Sequence, residues 1–257
     1  MGSNKTRTAT ALGAALALML TLPVPALADL KESLTSALAA ESRPEADRAR
    51  DRNRKPLQTL EFFGLKEDMR VLEIMPGGGW YTRLLAPALK DNGKLYVAVG
   101  SQRVADTLLK QPGFEAAEAL PNSGSFSRAE GAPRYTITGL KLDVEDIDLA
   151  LTFRNLHNLD AAGRAAMNSA VFDTLKPGGL YGVVDHTARH MAADTAEMRR
   201  RMDPVLAIKE IQAAGFELVD YSTLHYRPDD ELRYEVGRKS VTGNTDRFTL
   251  LFRKPAK

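Results

Sequence analysis

The chain has 257 residues, with 35 Lys and Arg against 33 Asp and Glu, and it contains no cysteine. The absence of cysteine excludes disulfides, a thiolate metal site and a cysteine nucleophile. Residues 1–28 hold two basic residues and no acidic one, so residues 29–257 carry 33 charges of each sign. That balance gives no support for binding to nucleic acid.

The first 28 residues have the pattern of a secretory signal peptide. Lys5 and Arg7 precede an uncharged run rich in alanine and leucine over residues 8–22, and a small-residue site follows at 26–28. This pattern predicts cleavage after Ala28 and a periplasmic location. The alternative is a membrane anchor, but the apolar run is short for a span. No second segment reaches membrane-spanning length, so no stable membrane span is expected after cleavage.

Beyond the signal peptide the sequence divides into two parts. Residues 29–64 have helical patterns, including a charged run over residues 47–55 that is typical of a solvated helix face. From residue 65 strands alternate with helices, which predicts a doubly wound α/β domain over 65–257 with an N-terminal helical extension. The expected strands are 71–74, 94–99, 134–138, 147–153, 180–185, 216–225 and 247–252, and the last two are expected to form an antiparallel hairpin. The expected helices are 80–90, 103–109, 161–175 and 203–214.

The most informative segment joins the first expected strand to the following helix. After Glu73 and Ile74 the chain reads Met75-Pro76-Gly77-Gly78-Gly79-Trp80-Tyr81. Glycines after a strand let a ligand approach the backbone, and the free N–H groups of a helix start attract a carboxylate or phosphate. A dinucleotide fingerprint would need glycine or alanine three residues after Gly79. Thr82 stands there, which disfavours NAD or FAD.

A second group of polar residues follows the strand at 147–153. It comprises Arg154, Asn155, His157 and Asn158, and Asp185 and His186 at the end of the next strand are expected to lie near it. Two histidines and a carboxylate can perform acid–base chemistry. The alternative is that His157 or Asn155 bonds loop backbone. No tight ligand spacing supports a metal site, so none is predicted. Solvated loops are expected for Asp203, His190, His225 and residues 227–230, and the alternative is that they cover the pocket.

Four stretches, taken in order, carry a resemblance to a known family. They are residues 71–87 around the glycine loop, residues 148–158, residues 175–186 beginning Leu-Lys-Pro-Gly-Gly, and a C-terminal set at 201–204, 213–216 and 246–255. Together they resemble the class I S-adenosylmethionine-dependent methyltransferases, and in particular an exported, predicted-methyltransferase family of Gram-negative bacteria. The resemblance implies a Rossmann-like sheet of seven strands, the last antiparallel.

The resemblance also implies S-adenosyl-L-methionine as cofactor and methyl transfer to an unidentified small molecule. Cofactor contacts are then expected from Glu73, Met75, Gly77, Gly78, Gly79, Tyr81, Ser101 and Asn155. Orientation of the acceptor or removal of its proton is expected from His157, Asp185 and His186.

The sequence departs from the usual family pattern at two positions. Met75 stands where the loop normally has its first glycine, although a bulky residue there also looks typical of the exported family. Strand 95–99 is not followed by the acid that usually accepts hydrogen bonds from the ribose, and Ser101 and Gln102 stand nearby.

These departures leave three hypotheses for the function. The first is a methyltransferase, and the second is a non-catalytic binding protein on the same scaffold. The second gains weight because little S-adenosylmethionine is expected outside the cytoplasm. The third is a hydrolase or lyase built from the histidine pair, although no Gly-x-Ser-x-Gly nucleophile elbow is present.

Overall fold

The computed structural model describes residues 1–2, 25–121 and 124–256. Most of the predicted signal peptide, residues 3–24, lies outside the described residues. Among the residues that the structure describes, no helix is long and apolar enough to cross a membrane.

The described residues form nine strands, which are arranged in two sheets. They are β1 (Arg70–Ile74), β2 (Lys94–Ala98), β3 (Ala117–Ala119), β4 (Ser125–Ser127), β5 (Thr136–Thr138), β6 (Ile147–Phe153), β7 (Leu175–His186), β8 (Glu217–Ser222) and β9 (Arg247–Arg253). Seven form the main sheet in the order β3-β2-β1-β6-β7-β9-β8, and β4 and β5 form a separate hairpin. Only β9 runs antiparallel to its neighbours, β7 and β8. The predicted seven-stranded sheet with its last strand antiparallel is confirmed.

In the part of the chain that the structure describes, eight α-helices cover this sheet and extend the fold at the N-terminal side. They are α1 (Pro25–Ala39), α2 (Glu45–Arg48), α3 (Asp51–Arg54), α4 (Pro56–Phe62), α5 (Thr82–Leu89), α6 (Gln102–Thr107), α7 (Ala161–Thr174) and α8 (Pro204–Ala213). Local chemistry sets where α7 and α8 begin. The carboxylate of Asp160 accepts the Gly163 N–H at 2.7 Å, and Asp203 accepts the Val205 N–H at 2.9 Å.

The third and shortest strand of the main sheet was missed by the sequence prediction. The expected strand at 134–138 contributes only Thr136–Thr138, and it pairs with β4 outside the main sheet. The edge of the main sheet is instead β3, three residues that pair only with β2. An edge strand of this length buries little surface, so it does not require apolar residues. The sequence Ala-Glu-Ala therefore has no apolar run from which a strand could be predicted.

Both faces of the central strands β1, β2 and β6 are buried, as expected for parallel strands flanked by helices, whereas the edge strand β8 is exposed. Successive residues of β1 point to opposite faces, so that Leu72 joins one hydrophobic cluster and Val71 joins the other. The second cluster also contains Leu30 and Leu34 of α1 and Phe63 just after α4. The N-terminal extension therefore shares the core of the α/β domain.

Candidate functional site

The glycine loop lies where the direction of the strand order changes. Strand β1 pairs with β2 on one side and with β6 on the other. Ligands of open α/β sheets bind outside the carboxyl ends of the strands at such a switch point. A cavity of about 190 Å³ opens there, lined by residues 75–78 after β1, by Phe153–Asn155 after β6, and by α2 and α3.

Three larger hollows lie elsewhere on the described part of the molecule, and the smallest of them, of about 350 Å³, lies between α1 and α4. One of about 580 Å³ lies between α1 and residues 108–114, and one of about 510 Å³ lies beside the start of α7. In the second, Arg134, Arg164 and Arg201 are each already paired with a carboxylate. The cavity of about 190 Å³ is the better candidate site, because it combines the glycine loop, the switch point and Arg154, whose buried Nε has no partner among the described residues.

The three glycines of the loop have different surroundings. A Cβ atom added to Gly77 or Gly78 would meet no atom within 4 Å, so both border open space. A Cβ on Gly79 would lie 2.6 Å from Cδ2 of Leu108, and Gly79 has a φ of +78°. Gly79 thus allows the loop to pack against the chain just after α6, and it does not line the cavity. Room for a ligand remains at Gly77 and Gly78.

Met75 adopts a left-handed backbone conformation with a φ of 54°. Its N–H donates to the carbonyl of Ala98 at 2.9 Å, which holds the start of the loop against the end of β2. The partly buried side chain packs against the core and also lines the cavity. A glycine at this position would leave the cavity wider.

The side chain of Asn155 holds the two loops together. Its Nδ2 donates to the carbonyls of Ile74 and Met75, each at 3.2 Å, and lies 3.1 Å from Oγ1 of Thr152. These contacts agree with the alternative predicted from the sequence, in which Asn155 forms hydrogen bonds with loop backbone. Asn155 also lines the cavity, so its role there is to shape one wall.

Glu73 is a buried carboxylate beside the cavity, 2 % exposed. The hydroxyl of Thr82 donates to its Oε2 at 2.6 Å. Burial raises the pKa of Glu73 to about 7, although the Thr82 hydrogen bond and the charge of Arg54 act in the opposite direction. At neutral pH this group is near its midpoint of titration.

The end of β2 supplies no carboxylate at the cavity. Ser101 is buried and precedes α6, and it does not line the cavity. Nε2 of Gln102 donates to Asp106 at 2.8 Å. Neither Ser101 nor Gln102 therefore replaces the ribose-binding acid that is missing from the sequence.

His157, Asp185 and His186 lie together, as the order of β6 and β7 predicts. Nδ1 of His157 lies 2.6 Å from Oδ1 of Asp185, and the backbone N–H groups of His157 and His186 donate to the same carboxylate. The two imidazole centroids are 5.8 Å apart.

All three side chains are buried, and none lines the cavity. Burial, followed by the charges of Arg247 and His157, lowers the pKa of His186 well below its ordinary value. The hydrogen bonds between His157 and Asp185 join the loop after β6 to the end of β7. Within the described ranges, no three His, Asp or Glu side chains are grouped so as to hold a metal ion.

Helices α2 and α3 cover the cavity, so the prediction of a solvated face for residues 47–55 is wrong. Asp47 and Arg54 are only 7 % and 6 % exposed. The guanidinium of Arg54 lies 4.3 Å from the ring centroid of Trp80, whose Nε1 donates to the carbonyl of Asp47 at 3.0 Å. Arg48 and Arg52 are exposed, so only one side of the run faces the protein.

The spacing of the charges in and just before this run is the sequence feature that could have indicated a buried face. Arg43, Asp47, Asp51 and Arg54 recur every three or four residues, which places charges of both signs on one helix face. A polar stripe of this kind also fits a solvated surface. Only the packing of Trp80 and Tyr81 beneath it decides which face is buried.

Two further corrections concern the C-terminal loops. His225 is buried, and its Nε2 lies 2.9 Å from the carbonyl of Arg54 while its Nδ1 lies 2.7 Å from Oγ1 of Thr249. Burial lowers the pKa of His225 to about 4. Asp230 forms a buried, two-point ion pair with Arg201, with both oxygen–nitrogen distances at 2.9 Å. Neither residue lies in a solvated loop.

Comparison with solved structures identifies the fold. The chain superposes on a SAM-dependent methyltransferase from Aquifex aeolicus with a TM-score of 0.55 and 17% identity, over 85% of this chain and 97% of that one. For the [4+2]-cyclase SpnF the TM-score is 0.56 at 18% identity, over 90% and 94%. For a SAM-dependent methyltransferase from Methanosarcina mazei it is 0.51 at 18%, over 79% and 98%.

The chain has the class I methyltransferase fold. No protein-family model and no curated protein sequence matches it. One of the three similar structures is named as a cyclase, so the fold by itself does not specify the reaction.

Proposed function

We propose that this protein is an S-adenosylmethionine-dependent methyltransferase that acts on a small-molecule acceptor. The observation that carries the proposal is the open space at Gly77 and Gly78, at the switch point of a class I methyltransferase fold. Two of the similar structures are named as SAM-dependent methyltransferases. A ligand at this point meets backbone N–H groups without side chains in the way.

The residues of the cavity fit such a cofactor on its loop side. Gly77 and Gly78 are suited to the close approach of backbone to ligand, and Met75 and Tyr81 supply apolar walls. Bound S-adenosylmethionine supplies an electrophilic methyl group on sulfur. The protein's contribution is to exclude water and to hold the acceptor in line with that methyl group.

The cavity is small for a cofactor of this size. Its volume of about 190 Å³ lies below the roughly 300–1,000 Å³ of typical small-molecule sites. Its cover consists of the two short helices α2 and α3. Binding of the whole cofactor therefore requires a shift of this cover.

The same observation supports the second candidate, a non-catalytic binding protein on this scaffold. The narrow cavity and the side chain of Met75 in its wall both favour a ligand smaller than S-adenosylmethionine. The third hypothesis, an enzyme built from the histidine pair, has less support because His157 and His186 are buried away from the cavity.

Calorimetric titration with S-adenosylmethionine and S-adenosylhomocysteine tests the proposal. We expect binding by the purified protein and its loss in Gly78→Leu, because a side chain there fills the open space. The His157→Gln variant is the matched control and should retain binding, since His157 lies outside the cavity. Absence of binding at millimolar ligand would refute the methyltransferase, and equal losses in both variants would contradict this assignment of roles.

We also propose that the chain belongs to the exported Gram-negative family and that residues 1–28 are removed during export. The basic start, the apolar run and the small-residue site support this proposal. Cleavage after Ala28 would leave Leu30 and Leu34, which pack in the core, on the mature chain. Mass spectrometry of the periplasmic protein should find Asp29 as its first residue. A mature chain that still carries Lys5 would overturn the proposal.

A further inference from the structure

Three arginines from distant parts of the chain meet beside the cavity. Arg54 ends α3, Arg154 follows β6 and Arg247 begins β9. All three line a small hollow together with Tyr81 and His225, and Arg54 and Arg154 also line the glycine-loop cavity. Arg54 and Arg154 therefore line the same cavity as the glycine loop, and Arg247 meets them in the adjoining hollow.

Within residues 25–121 and 124–256, none of these three guanidinium groups has a carboxylate at ion-pair distance. Arg54 contacts the faces of Trp80 and Tyr81. Arg247 donates from Nη1 to the carbonyl of Asn53 at 2.7 Å, but its buried Nε has no partner. The buried Nε of Arg154 also has none.

Other buried arginines of this protein are paired. Arg43 binds both oxygens of Asp51 at 2.7 and 2.8 Å. Arg164 binds both oxygens of Glu210, and Arg201 binds both oxygens of Asp230. Arg54 and Arg247 are buried, and Arg154 is partly buried with its Nε out of contact with solvent. A charge removed from water without a counter-ion is costly, so these three arginines require an explanation that packing alone does not supply.

The surroundings of the three arginines are electropositive. Burial and the charge of Arg154 lower the pKa of Arg54 to about 9 and that of Arg247 to about 10, so both remain charged at neutral pH. Burial and the charge of Arg50 lower the pKa of Arg154.

The neighbouring acidic and neutral groups do not offset this charge. Glu73 is half protonated near pH 7, and burial raises the pKa of Tyr81 and keeps it neutral. Asp185 already accepts hydrogen bonds from His157 and two backbone N–H groups. Burial and Arg247 lower the pKa values of His186 and His225, so both are neutral.

We propose that Arg54, Arg154 and Arg247 form a binding site for an anionic group, a carboxylate or a phosphate, on the methyl acceptor. A guanidinium matches the oxygen pairs of both groups, and its hydrogen bonds to them are charge-assisted. The assignment of this anionic group to the acceptor rests on the proposed methyltransferase function. It assumes that the cofactor binds at the glycine loop, which lines the same cavity. The anion site itself does not depend on methyl transfer.

Titration with inorganic phosphate, at constant ionic strength set with sodium chloride, tests this site. We expect the wild-type protein to bind phosphate both alone and in the presence of saturating S-adenosylhomocysteine. The Arg154→Gln variant should bind phosphate at least about tenfold more weakly, because a charge-assisted hydrogen bond is lost. The control is Arg238→Gln, since Arg238 is exposed and pairs with Glu197 away from the cavity.

A thermal melt in phosphate-free buffer separates this effect from misfolding. Arg154 is partly buried and has no carboxylate partner among the described residues, so its replacement should leave the melting temperature of Arg154→Gln equal to or above that of the wild type. A lower melting temperature would show that Arg154 has a structural partner and would overturn the proposal.

The remaining outcomes separate the anion site from the proposed function. Absence of phosphate binding, or equal weakening by Arg238→Gln, would overturn the site. Displacement of phosphate by S-adenosylhomocysteine would overturn the acceptor assignment, since the cofactor's own carboxylate would then occupy the arginines. Phosphate binding without any S-adenosylhomocysteine binding would support the anion site and refute the methyltransferase.

Discussion

The residues of the glycine loop show what the local sequence predicts and what it does not predict. The run Gly77–Gly79 predicts a cradle for a ligand, but it does not distinguish its members. The structure separates them, because Gly79 packs against Leu108 while Gly77 and Gly78 border open space. The distinction depends on a side chain 29 positions away in sequence, and no local pattern encodes that contact.

Glu73 should make the stability of the protein depend on pH. Its pKa is about 7 in the folded protein against 4.5 for the free group, so the folded state binds the extra proton between these values. Its contribution is therefore present at low pH and is lost as the pH rises toward 7. We expect Glu73→Gln, which can still accept from Thr82, to be more stable than the wild type at pH 8 by about 2–3 kcal/mol.

Urea unfolding of both proteins at pH 4.5 and pH 8 measures this difference. The two unfolding free energies should nearly coincide at pH 4.5, where the wild-type carboxyl is protonated. A difference that stays constant between the two pH values would mean that Glu73 titrates normally. Thr82 should be retained in both proteins, because it supplies the hydroxyl that contacts Glu73.

At the level of elements, contacts with Trp80 help to hold α2 and α3 over the cavity. Asp51 of α3 pairs with Arg43, whose guanidinium lies 5.3 Å from the ring of Trp80. The carbonyl of Asp47 accepts the indole N–H of the same tryptophan. Because the chain has a single tryptophan, its fluorescence reports on the surroundings of Trp80, which include this cover.

Substitution of Asp51 by alanine should loosen the cover. Arg43 then loses its carboxylate while remaining buried, so we expect acrylamide to quench Trp80 more strongly than in the wild type. Asp91→Ala is the matched control, because Asp91 is exposed and pairs only with its neighbour Lys90. Unchanged quenching in Asp51→Ala would show that the aromatic packing holds the cover without the ion pair.

At the level of the whole molecule, a buried ion pair ties together the C-terminal loops. Arg201 precedes α8, and Asp230 lies between β8 and β9. Both side chains are fully buried, and Asp230 also accepts the N–H of Asp246 at 2.7 Å. This pair therefore fixes the chain that leads into β9, the strand that begins with Arg247.

Asp230→Asn should strongly destabilise the protein. The variant leaves Arg201 buried without its counter-ion, which costs about 3–5 kcal/mol. The control is Asp229→Asn, an exposed position where we expect a change within about 0.5 kcal/mol. The measurement is the free energy of unfolding in urea, and similar values for the two variants would contradict the importance of the buried pair.

The architecture of this protein follows largely from its sequence. Alternating apolar runs and helical periodicity predict the parallel sheet, the antiparallel β9 and the glycine loop, because each of these features is encoded within about ten consecutive residues. Strand β3 is the exception, since three edge residues carry too little apolar sequence to be recognised.

The candidate site is decided by tertiary structure. The charged run at 47–55 has the composition of a solvated helix, and only its packing on Trp80 and Tyr81 turns Arg54 inward. Arg54, Arg154 and Arg247 are each about a hundred residues from the next, and only Arg154 belongs to the group of polar residues that the sequence singles out. These three charges lie together without carboxylate partners only when α3, the loop after β6 and the start of β9 meet. Burial is a property of the folded chain, so no local sequence pattern indicates this cluster.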